Sequence, residues 1–191
     1  MTSLTKRKIC ITLFSLLFLF QNSALARELE PKLTNIIVTN TRDDLLIYLN
    51  VEGAFTEEME SAILSGVPTT FSFYITLNLV RDFWPDKEIA DIKVTHTIKY
   101  DNLKKEFTVH RSWENGEPAV AQSFEEAQQV MTKINSLKVA PLSFLEKGGA
   151  YQILAKAELS KVTLPFYLHY VLFFVSQWDF ETETATIDFI Y

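Results

Sequence analysis

Residues 71–79 read FSFYITLNL, and in this stretch Phe71, Phe73, Ile75, Leu77 and Leu79 take every second position. Successive side chains of a strand point to opposite faces, so a period of two predicts a strand with one face in the core. The same alternation recurs on both sides of it. Downstream, Ile92, Val94, Ile98 and Tyr100 alternate with Lys93, Thr95, Thr97 and Lys99, and Asp101-Asn102 marks a turn before Phe107, Val109 and Trp113, which predicts a hairpin. Upstream, Leu45, Ile47, Leu49 and Val51 share a face after the turn residues Arg42-Asp43-Asp44, predicting a first pair of strands over 34–53. Tyr151, Ile153, Ala155, Ala157 and Leu159 form another such run, and Ala185, Ile187, Phe189 and Tyr191 the last.

Helical signals interrupt these strands. Thr56 can cap a helix whose first turn holds Glu57 and Glu58, and Gly66 stands where a left-handed stop is needed. Ser123 and Glu126 have capping-box spacing, followed by Phe124, Ala127, Val130, Met131, Ile134 and Leu137 at helical intervals. Leu164 to Val175 is apolar on every side; Thr163 and Pro165 suit a helix start, so it reads as a buried helix, with a buried strand as the alternative. The fold class that follows is α+β: an antiparallel sheet, flat or folded into a β-sandwich, packed by two or three helices. No Pro/Gly-rich linker divides the chain after Lys32, so residues 27–191 are expected to form a single domain.

Residues 1–26 read differently. Lys6, Arg7 and Lys8 precede an apolar run from Ile9 to Phe20 and then Ser23-Ala24-Leu25-Ala26, the three parts of a secretory signal peptide. Twelve apolar residues span only about 18 Å of helix against roughly 30 Å of hydrocarbon, which favours a cleaved leader over an anchor. The small residues Ala24 and Ala26 place cleavage before Arg27, and the expected location is periplasmic or secreted. Cys10, the one cysteine, leaves with the leader, so the exported domain is held by its core without a disulfide. Its formal charge falls from −6 to −9 when the three basic leader residues go. An acidic surface without a basic stripe repels phosphate backbones, which excludes nucleic acid and anionic membrane as main partners.

The residues offer little for catalysis. A domain free of cysteine has no thiol nucleophile, and His96, His110 and His169 lack metal-ligand spacing. No phosphate-binding loop, dinucleotide fingerprint or nucleophile elbow occurs. The expectation is therefore no enzyme, no metal and no cofactor. His96, between Val94 and Ile98, falls on the apolar face of its strand and reads as a hydrogen-bonded core histidine, with a pH switch as the alternative. Glu57-Glu58-Met59-Glu60 reads as helix-start charge and not a calcium loop. Glu181, Glu183 and Asp188 read as charges that keep the last strand from pairing with another molecule. The most informative surface is Arg81-Asp82-Phe83-Trp84-Pro85-Asp86. Its structural reading has Trp84 folded over the core and Arg81 paired with Asp86; its functional reading makes Arg81, Phe83, Trp84 and Asp86 an interaction surface.

A family resemblance rests on four motifs taken in order. These are Ala62-Ile63-Leu64-Ser65-Gly66-Val67-Pro68 running into Phe71, the Arg81 to Asp86 turn, Tyr100-Asp101-Asn102-Leu103, and Leu164-Pro165 leading to Trp178. The chain resembles the bacterial family called domain of unknown function 4390. The resemblance implies an exported protein and brings no activity or catalytic residue. It also implies a sensing context beside a membrane sensor kinase of the nitrogen-regulation type.

The expected function is a non-enzymatic binding or interaction protein of the bacterial envelope. The alternative is a periplasmic carrier or sensor of an apolar small ligand, suggested by 25 aromatic residues and the apolar run at 164–175. A small outer-membrane barrel is suggested by the alternating C-terminal strand ending in Tyr191, but two capped helices argue against it.

Overall fold

The computed structural model describes residues 30–160 and 181–191. Ala24, Ala26 and Arg27 of the expected cleavage site, and the apolar run 164–175, lie outside the described residues. In chain order the elements are β1 (Lys32–Asn40), β2 (Asp44–Glu52), α1 (Glu57–Leu64), β3 (Thr69–Leu79), β4 (Lys87–Asp101), β5 (Glu106–Arg111) and β6 (Ala119–Ala121). Then follow α2 (Phe124–Thr132), β7 (Lys133–Pro141), a short 3-10 turn at Leu142–Phe144, β8 (Ala150–Leu159) and β9 (Ala185–Ile190). The α+β class holds in its coarse form: two antiparallel sheets with two α-helices among the described residues. One sheet has the order β1-β2-β7 and the other β6-β5-β4-β3-β8-β9.

The stretch at 71–79 occupies a central position in the larger sheet. β3 pairs with β4 from Thr69↔Ile98 to Leu79↔Lys87 and with β8 from Phe71↔Leu159 to Leu79↔Tyr151. Phe71, Phe73, Ile75 and Leu77 are wholly buried, and so are Ile153 and Ala157 on β8. Across that pair large meets small, Phe73 facing Ala157 and Ile75 facing Ala155, which lets the inner face accept a further layer. The alternation on β2 is equally strict, with Leu45, Ile47, Leu49 and Val51 buried. One buried cluster takes side chains from both sheets and both helices. In it Phe55 packs on Phe71 at 5.1 Å and edge-on to Phe124 at 5.5 Å.

Both helix starts follow the sequence. Thr56 Oγ1 accepts from the Met59 amide, and Ser123 Oγ from the Glu126 amide. Gly66 has φ +89°, the left-handed stop that a side chain would oppose. The reciprocal bond of the second cap departs by one residue: Glu126 Oε2 accepts from the Gln122 amide.

The end of α2 corrects the sequence reading, which carried the helix through Ile134 and Leu137. The helix stops at Thr132, and Lys133 is already extended at φ −108°, ψ 129°. Ile134 and Leu137 lie on β7, opposite Leu49 and Ile47 of β2. Their three-residue spacing comes from a bulge, where Ser136 adopts φ +57° and an extra residue restores the inward face. Helical spacing and a bulged strand are indistinguishable over so short a run. Trp113, expected inside the hairpin strand, lies beyond the end of β5. β6 has only three residues, too few for a visible period.

Candidate functional site

The turn between β3 and β4 is built on the last rungs of the larger sheet. The Val80 amide donates to Ala150 O at 2.8 Å, carrying the ladder to β8 one residue past Leu79. The chain then leaves the sheet, and the Arg81 amide donates to Asp86 Oδ1 at 3.1 Å, closing the turn across its base. Arg81 and Asp86 are thus joined, though through the backbone amide; the expected guanidinium–carboxylate pair does not form. Trp84 does not fold over the core. It is 73 % exposed and Phe83 94 %. The reason is geometric: the turn projects beyond the final rung at Leu79 and Lys87, so its tip has no packed layer beneath it.

A cleft adjoins the base of this turn. It has a volume of about 420 Å³ and is lined chiefly by Val80, Ala150, Tyr151, Phe189 and Ile190, with Gln152 and Asp188 at its polar side. Tyr151 and Phe189 stack at 5.7 Å, and Gln152 Nε2 donates to Asp188 Oδ1 at 2.9 Å. Ile190 is 77 % exposed. As a site these residues, Val80 included, were missed in the sequence because only the register joins them. The pairing Ala150↔Ile190 and the Val80–Ala150 bond set three strand ends side by side.

His96 is placed where the alternation on β4 puts it, wholly buried. Its ring lies 4.7 Å from Phe73 and stacks on Trp113 at 4.7 Å. Nδ1 donates to Met131 O at 2.6 Å, since a carbonyl can only accept, and Nε2 is left without a partner. Burial pushes its pKa down to about 3; the Met131 carbonyl opposes that shift and the nearby Arg111 charge assists it. The imidazole is therefore neutral at ordinary pH. It satisfies one of the carbonyls that the end of α2 leaves free, a place usually served by a glycine stop. His110 is exposed, and His169 lies outside the described residues.

Other polar groups pair across the larger sheet. Tyr74 OH donates to Glu158 at 2.6 Å, Lys93 lies 4.8 Å over the Tyr74 ring, and Lys156 bridges Glu158 and Glu181. Glu181, read in the sequence as an edge charge, pairs with Lys156 of β8. A second cleft of about 310 Å³ runs between Arg111 and the α2 residues Glu126, Gln129 and Val130, ending at Lys133 and Asn135. Arg111 is already paired with Glu114 at 3.0 Å. Among the described residues no three His, Cys, Asp or Glu side chains gather as a metal site, and no helix is long and apolar enough to cross a membrane.

A family model described as Domain of unknown function (DUF4390) matches residues 29–188. No curated protein and no solved structure matches the chain.

Proposed function

We propose, for a chain that belongs to the DUF4390 family of domains of unknown function, the role of an exported, non-enzymatic binding protein of the bacterial envelope. The observation that carries this reading is the exposure of Phe83 and Trp84 on a turn whose base is fixed by two hydrogen bonds. Burying a large apolar side chain stabilises by roughly 1.5–3 kcal/mol, so two aromatics left in water are a reserve that only a partner can use. Aromatic residues and arginine dominate interface energetics, and Arg81 belongs to the same turn. A turn already closed loses little conformational freedom on binding, which leaves more of that energy as affinity. In this proposal the two sheets are the faces of a β-sandwich whose shared core keeps the turn rigid. The partner is an envelope protein, with the exported part of a membrane sensor kinase as the first choice to try.

The test separates binding from folding. Phe83→Ala and Trp84→Ala should leave the thermal midpoint within a few degrees of the parent, because the rings contact little, and should abolish capture of the envelope partner. A buried structural tryptophan would instead cost roughly 3–5 kcal/mol. Unchanged capture by both variants would end the proposal.

A further inference from the structure

Ala150 lies between Val80 and Ile190 on one row across three strands, since its carbonyl accepts from the Val80 amide and its Cα pairs with Ile190. A methyl group between two branched side chains leaves a notch, and this notch opens into the 420 Å³ cleft on the face that Gln152 and Asp188 share, while the Tyr151 ring is buried in the core on the other face. Val80 is also the residue from which the Arg81–Asp86 turn departs. The notch and the aromatic turn are therefore neighbouring parts of one surface.

Resting on the binding role argued above, we propose that the notch receives one aliphatic side chain of an extended, basic segment of the same protein partner, while Phe83 and Trp84 cover that segment's flank. Two observations select this occupant. The cleft is open, with Ile190 77 % exposed in its wall, whereas small-molecule sites enclose most of their ligand. A polypeptide brings its own backbone to close the mouth. The charges around the cleft and turn choose the sign: Asp82, Asp86, Glu88 and Asp188 outnumber Arg81 and Lys87, on a chain of net charge −6. Lysine or arginine beside the aliphatic anchor would meet these carboxylates, and a carboxylate there would be repelled.

The experiment uses a displayed library of short random peptides, selected on the full chain, with the enriched peptides titrated against variants. Enriched sequences should combine an aliphatic residue with lysine or arginine, and added salt should weaken them. Ala150→Leu fills the notch at an exposed position without removing a contact, and should lower their affinity roughly thirtyfold, the loss of one hot-spot side chain. Asp188→Lys should weaken them too, while thermal midpoints stay near that of the parent. Acidic enriched sequences, no enrichment at all, or affinity unchanged in Ala150→Leu would each overturn the proposal. So would laurate binding that Ala150→Leu removes and that displaces the peptides, which would assign the notch to a small apolar ligand. Peptides lost on Trp84→Ala but indifferent to Ala150→Leu would leave the aromatic turn as the binding site and refute the notch alone.

Discussion

His96 is neutral because a charged ring between Phe73 and Trp113 would have lost its water without gaining an anion. The consequence can be read with its sign. Its folded pKa of about 3 lies below the ordinary 6.5, so between those values the unfolded chain binds more protons than the folded one. Stability from this group is present above pH 6.5 and is lost as pH falls through that window toward about 3, by an amount on the order of a few kcal/mol. Urea midpoints at pH 7 and pH 4 measure it. His96→Phe should be destabilised at pH 7, because the Met131 carbonyl loses its donor, yet should lose less than the parent on going to pH 4. Parallel losses would mean that carboxylates alone carry the acid sensitivity. Asp101, whose carboxylate is held below its usual range by the Lys104 and Leu103 amides, contributes in the same direction in both proteins. At this scale the sequence was a good guide to His96, whose position in an alternating run fixed its face. It was a poor guide to Trp84, whose burial depended on how far the sheet continued beneath it.

For single elements, local chemistry was legible wherever it acts within a few residues. The caps at Thr56 and Ser123 and the stop at Gly66 form where their residue types predict, because each bond closes inside one turn. Ser123→Ala should therefore cost about 1 kcal/mol, while Gln129→Ala on the exposed side of α2 should change little. Denaturant midpoints decide it, and equal values would show that the cap carries no energy. The end of α2 was not legible. Ile134 and Leu137 follow helical intervals, but β2 offers them an open ladder, and a bulge at Ser136 gives the same intervals on a strand. The cleft at Val80 and Ile190 was hidden for a related reason: residues more than a hundred positions apart meet only through strand register.

Over the whole molecule, the alternating runs foretold antiparallel sheets, and nine strands in two sheets are found among the described residues. The partition into a sheet of three and a sheet of six was beyond reach, since both draw on the same pattern of inward residues and differ only in their partners. Export is the remaining expectation on which the proposed role depends. Ala24 and Ala26 before Arg27 predict a mature chain beginning at Arg27. Intact-mass measurement of the envelope fraction should find that species, and one retaining Met1 and released only by detergent would refute it. The ladder of β3 carries a mechanical meaning as well. A load applied at Phe83 and Trp84 enters along the axes of β3 and β4, while antiparallel hydrogen bonds lie across the strands. The nine residue pairs of β3 with β8 then resist in shear together and do not peel one after another. The turn is a handle that can be pulled without unzipping the sheet that bears it.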